Sequence, residues 1–124
     1  MSVRSAGVAA ALALAGCAAI PGDPERGRLV FLEREQGHCV LCHAAPGIAV
    51  AGNVGPSLAG VGLRLSAEEI RVRVEDITRV NAQSAMPAYS RAGQFARVAP
   101  AYAGRSLLTA EQVDDVVAWL STLR

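Results

Sequence analysis

Three of the five residues in Cys39-Val40-Leu41-Cys42-His43 carry thiol or imidazole groups, the densest such cluster in the chain. Two thiols three residues apart lie on one side of a helical turn. There they can add to the two vinyl groups of a single porphyrin. The histidine after the second cysteine then sits under the ring with a nitrogen toward the metal. C-x-x-C-H is the attachment sequence for c-type haem. A zinc site needs about four protein ligands, and beyond these three residues only His38 and the acids are on hand. A thioredoxin-type pair needs a strand–helix context that is not legible here. The remaining alternative is a structural disulfide, which an exported protein could form. The expected cofactor is one covalently bound haem c, held by Cys39 and Cys42, with His43 as an axial iron ligand.

What fills the sixth iron position decides the chemistry. An open position admits ligands, whereas a methionine closes it and raises the potential. Apart from Met1, Met86 is the only methionine. Pro87 biases it toward extended backbone on a loop, a placement that can reach the opposite face of the ring. Met86 is therefore the expected second ligand, against the alternative of core filling. His38 adjoins Cys39 and would have to reach around the ring to compete. Asn53-Val54-Gly55-Pro56-Ser57-Leu58 begins ten residues after His43. A metal-bound histidine donates its other N–H to an acceptor, and the Pro56 carbonyl in this Gly-Pro turn is the expected one. Arg79, Asn81 and Tyr89 flank Met86 and are candidates for bonding the haem propionates. No nucleophile or paired acid and base accompanies the motif, so no catalytic residue is expected and the chain moves single electrons.

These residues need elements to hold them. Asp23-Pro24-Glu25 reads as a cap, a first-turn proline and an acid on the helix dipole. The helix predicted from it runs from Pro24 to Gln36, with Leu29, Val30, Phe31 and Leu32 on its apolar face and Gly37 as terminator. Ser66-Ala67-Glu68-Glu69 fits a capping box, with Ile70, Val74 and Ile77 at helical spacing behind it. Thr109-Ala110-Glu111-Gln112 fits another, followed by the stripe Val113, Val116, Val117, Leu120 and Leu123 with Trp119 beside it. Between them, Ala44 to Leu65 and Asn81 to Ser106 are rich in glycine and proline and do not alternate as strands do. Long loops in a compact domain are usually functional. The expected fold is all-α, three to four helices with loops wrapped around one haem.

Composition bounds the rest. A chain of 124 residues is one small domain, at about 100–200 residues each. The apolar share of 52% includes 24 alanines, and only five side chains are aromatic, so the core is short of bulk that a buried prosthetic group would supply. All 12 basic residues are arginine, scattered against 11 acids, which leaves no stripe for nucleic acid. Residues 1–20 read as a secretory leader: Arg4, an apolar run from Val8 to Ala15, then small residues. The run is shorter than the roughly 20 residues a bilayer requires. Leu14-Ala15-Gly16-Cys17 resembles a lipobox, so cleavage is expected before Cys17 or nearby, with residues 21–124 as the exported domain. The expected location is the periplasm, with a lipid tether if Cys17 is acylated and none if Cys17 is incidental.

With these residues in view, the sequence resembles the class I cytochromes c and, more narrowly, the SoxX family. Members of that family are small monohaem subunits of SoxAX complexes in bacterial sulfur oxidation. The likeness is carried by Cys39 to His43, by Asn53 through Gly62, by Arg79 through Tyr89, by Arg97 through Tyr102, and by Leu108 to Leu123. The lipobox and the short stretch before the haem motif depart from the family pattern. The resemblance implies a heterodimer with a SoxA-like cytochrome, whose own haem site conjugates thiosulfate to a cysteine of the SoxYZ carrier. It implies that this chain relays the electrons to an external cytochrome c. It would thus be the electron-transfer subunit of L-cysteine S-thiosulfotransferase. Val98 to Tyr102 is the expected partner surface. The alternative is a free-standing periplasmic electron shuttle.

Overall fold

The structure, a computed structural model, describes residues 20–124; the leader with Arg4 and Cys17 lies outside them. Four α-helices carry the fold: α1 Pro24–Leu32, α2 Val61–Arg64, α3 Ala67–Asp76 and α4 Ala110–Thr122. Single 3-10 turns stand at Cys39–Leu41, Ile77–Arg79 and Pro100–Tyr102, and the described residues contain no strand. The all-α architecture expected from the sequence is the one observed.

Local chemistry places the helix starts. The Asp23 carboxylate accepts from the backbone N–H of Glu25 and Arg26 at 2.9 and 3.2 Å. Ser66 and Thr109 each form a complete capping box, with Glu69 and Gln112 returning the bond. Each box satisfies two N–H groups that the first helical turn leaves without partners.

The core is the crossing of α1 and α4. Gly27 is buried there, and a Cβ on it would stand 1.9 Å from the Asp115 carbonyl oxygen. The two backbones therefore touch, which only glycine permits. One turn further on, the rings of Phe31 and Trp119 pack with centroids 4.8 Å apart and planes tilted by 52°. The Asp115 carboxylate, 2% exposed, accepts from the Asp23 N–H at 2.7 Å and from Arg26 Nε at 2.8 Å. The cap of α1 is thus tied to the middle of α4, and the buried charge is paired. Ile70 and Val74 seat α3 on the same core, and Arg71 bonds Asp114 of α4.

Three expectations need correction. Helix α1 ends at Leu32, four residues before Gln36. Glu33 turns extended, and the chain doubles back so that the Gly37 N–H reaches Val30 O at 3.0 Å and the His38 N–H reaches Glu33 O at 3.2 Å. Gly37 is the stop signal, but it works through a return loop that needs the four preceding residues. Leu29, placed on the apolar face, is 50% exposed, while Val30 and Phe31 are buried. Helix α2 was not foreseen within the Ala44–Leu65 loop; Gly62 seats it, with Ser121 O only 2.3 Å from where its Cβ would be.

Candidate functional site

The return loop delivers His38 in a left-handed conformation, φ 45° and ψ 37°, as the residue that opens the 3-10 turn at Cys39. His38 is the one non-glycine residue with positive φ among the described residues. Such conformations are uncommon outside glycine and tend to mark functional sites. Beyond it, the backbone N–H groups of Cys42 and His43 both bond to Cys39 O, at 3.1 and 2.9 Å. One tight turn therefore carries two half-buried thiols and the imidazole. Burial pushes the Cys39 thiol up to about 11, although the Tyr89 hydroxyl pulls the other way.

His43 is held from behind. Its Nδ1 lies 2.8 Å from Pro56 O. A carbonyl can only accept, so Nδ1 carries the proton and the lone pair is left on Nε2. The bond is the one the Gly-Pro turn suggested. Gly55 makes room for it, since a Cβ there would stand 2.4 Å from His43 Cε1. Gly52, which the sequence did not single out, approaches the turn just as closely, with Leu41 O 1.9 Å from its Cβ position. The loop is laced to the motif by Gly52 N–H to Val40 O, Gly55 N–H to Cys42 O and Leu58 N–H to Ala44 O, at 2.9, 2.8 and 2.8 Å. The density of glycines after His43 was the available signal.

Met86 is half-buried against the core, on a loop that leaves the 3-10 turn at Ile77–Arg79. The loop returns when the Tyr89 and Ser90 N–H groups bond Val74 O and Glu75 O at 3.3 and 3.0 Å. Tyr89 is buried, and its hydroxyl donates to Gly37 O at 2.9 Å, so the Met86 loop is fastened directly to the segment that precedes Cys39. Burial pushes this phenol well above its ordinary range. Arg79 is exposed beside Glu75, with 3.9 Å between the charged groups. Asn81 is exposed as well and accepts the Gln83 N–H at 3.1 Å.

The donors present fit a c-type haem: two free thiols on one turn, an imidazole with one bare nitrogen, and a thioether on a loop fastened to the segment before that turn. No trio of His, Cys, Asp or Glu that would cage a bare metal ion occurs among the described residues. The family model for cytochrome c matches residues 24–124. The chain belongs to the cytochrome c family.

This cytochrome carries one covalently bound haem c and transfers electrons. It is SoxX-like: a crystal structure of SoxXA from P. pantotrophus is similar with a TM-score of 0.73 and 31% identity, covering 83% of this chain and 82% of that one. The c-type cytochrome SorU from Sinorhizobium meliloti is similar at a TM-score of 0.53 and 28% identity, over 81% and 88% of the two chains. A cytochrome c-553-like protein of Synechocystis sp. (strain ATCC 27184 / PCC 6803 / Kazusa) is 44% identical over 52 residues, 42% of this chain. The chain spans 43% of that relative's length. Among the described residues, no helix is long and apolar enough to cross a membrane.

Proposed function

We propose that this cytochrome is the electron-transfer subunit of a SoxAX-type thiosulfate-oxidising complex, L-cysteine S-thiosulfotransferase. The likeness to SoxXA over 83% of the chain carries the reading. A SoxA-like cytochrome is the partner, a SoxYZ-type carrier the acceptor of the sulfur group, and an external cytochrome c the electron acceptor. The work is done in the periplasm, where the leader sends the chain, with Cys17 as the point of tethering if it is acylated.

The site residues take these roles. Cys39 and Cys42 would hold the haem covalently through two thioethers. His43 binds iron through Nε2, and its Nδ1–H on Pro56 O fixes the tautomer and raises the basicity of the ligand. Met86 would hold the iron through its thioether sulfur and close the sixth position to exogenous ligands. Bound haem supplies a one-electron iron couple whose potential a methionine ligand raises. Pro56 holds His43 and Tyr89 ties the Met86 loop to Gly37 through the bonds described above, while Arg79 and Asn81 are the candidates for the haem propionates. Val98 and Tyr102, 40% and 60% exposed, offer an apolar surface to the partner.

Purification of the haem-loaded protein from its own periplasm tests the reading. A second, SoxA-like cytochrome should accompany it, and Tyr102→Arg should weaken that association. Isolation as a lone cytochrome that exchanges electrons with respiratory partners would instead favour a free-standing shuttle. At the site, Met86→Ala should abolish the ferric near-infrared sulfur-to-iron band while the haem stays attached.

A further inference from the structure

The segment just past Met86 is held in an unusual way. Ala88 is 3% exposed, and the Gln94 carboxamide serves both its backbone groups. Gln94 Oε1 accepts from the Ala88 N–H at 3.3 Å, and Gln94 Nε2 donates to Ala88 O at 2.5 Å and to Arg91 O at 3.1 Å. One side chain thus does for Ala88 what a neighbouring strand would do. The base of the same loop is closed by charge: Arg91 donates to Asp76 Oδ2 and to Thr78 Oγ1, the latter at 2.7 Å, and Thr78 itself donates to Asp76. From Ile77 to Ser90 the chain forms an Ω-loop with its ends joined. Beyond its joined base, the leg that carries Met86 is held by the Tyr89 hydroxyl on Gly37 O, by the Leu108 N–H on Tyr89 O at 3.0 Å, and by packing of the Met86 side chain on the core. Met86 N–H bonds only Ser84 Oγ, a neighbour on the same loop, at 3.2 Å.

We propose that Gln94 is the positioning residue that keeps Met86 on the iron, by locking the return leg of the loop through both backbone groups of Ala88. This rests on Met86 being the distal ligand. A thioether is a neutral, weak donor, so its residence on the metal depends on how rarely the loop opens rather than on bond strength. Removing the carboxamide leaves the buried Ala88 N–H without its partner and the Ala88 C=O with the Arg91 N–H alone, at 3.2 Å. That raises the open population about tenfold or more.

The test uses the ferric haem-loaded protein with imidazole as the competing ligand, well below the unfolding temperature. Gln94→Leu should bind imidazole about tenfold more tightly or better, the ratio that one unpartnered buried backbone group implies. Its near-infrared sulfur-to-iron band should also fade at a lower temperature. Gln94→Glu, which keeps an acceptor for the Ala88 N–H but sets a carboxylate against Ala88 O, should move the same way. Wild-type imidazole affinity and band in both variants, with the band lost in Met86→Ala, would overturn the role of Gln94 and leave the ligand assignment standing. A band that survives Met86→Ala would overturn both. Should Gln94→Leu fail to accumulate, the unmodified protein answers instead. Hydrogen exchange at the Ala88 amide should then proceed at the rate at which imidazole displaces Met86, and exchange far faster than displacement would refute the proposal.

Discussion

The crossing of α1 and α4 and the loops around Met86 are built on opposite principles. At the crossing, backbone meets backbone at Gly27, Phe31 packs on Trp119, and Val113, Val116 and Val117 are almost wholly buried. In the loop half, Phe95, Val98 and Tyr102 stand exposed, and the chain is held mainly by hydrogen bonds such as those from Gln94 to Ala88. Dense packing is bistable rather than deformable, whereas hydrogen-bonded loops open locally at lower cost. Stability therefore resides mostly in one half and ligand control in the other. A cytochrome needs that division: a rigid frame for the attachment turn, and a loop whose opening can be tuned without unfolding the molecule.

The sharpest contrast comes from one substitution made twice. Gly27→Ala puts a Cβ where the Asp115 carbonyl already stands, so α1 must move off α4. The expected loss is about 3 kcal/mol or more, read by thermal unfolding of the haem-loaded protein. Gly104→Ala meets open space and is strained only by its φ of 72°, so the expected loss is about 1–2 kcal/mol. Equal losses at the two positions would erase the distinction between the halves.

Gly55→Ala sits between these cases, because its target is the ligand rather than the frame. The new methyl would collide with the His43 ring, turning it away from Pro56 and breaking the bond at Nδ1. A histidine without that acceptor is a less basic ligand and stabilises ferric iron less, so the reduction potential should rise. The unfolding midpoint should fall much less than for Gly27→Ala. An unchanged potential with an intact fold would show that the Pro56 bond does not tune the metal.

The two halves were also unequally legible in the sequence. Helix starts are local events, and Asp23, Ser66 and Thr109 announced all three long helices because a cap needs only residues within one turn. The attachment turn was legible for the same reason, its chemistry being packed into Cys39 to His43. The end of α1 was not, since Leu32 stops the helix to serve a return loop whose purpose is to bring Cys39 to the core. Gln94 was invisible as well. Its partner Ala88 has no side-chain chemistry, and the bonds run to backbone groups that composition cannot reveal. Tyr89 was noticed for its proximity to Met86 in sequence, yet its bond to Gly37 spans 52 residues. Contacts closed over such distances are set by topology, and a motif search reads only neighbours.

Acid should separate the halves once more, by a smaller margin. The Arg26 guanidinium, followed by the Asp23 N–H, holds the Asp115 carboxyl below the usual carboxylate range. The Thr78 hydroxyl, followed by Arg91, does the same for Asp76 at the base of the Met86 loop. Each carboxyl is more acidic folded than unfolded. Its contribution is therefore complete above the unfolded value of about 4 and fades as pH falls through the lower folded value. Asp115→Asn should flatten the acid limb of the unfolding midpoint against pH. Asp76→Asn should flatten it less, because the Asp76 side chain is 21% exposed against 3% for Asp115 and solvent screens its pairing. Asp76→Asn should instead lower the pH-independent barrier to imidazole binding, since it unties the base of the loop without touching the helix crossing. An acid limb that flattens equally in both variants, with imidazole binding unmoved, would mean that the loop base belongs to the frame after all.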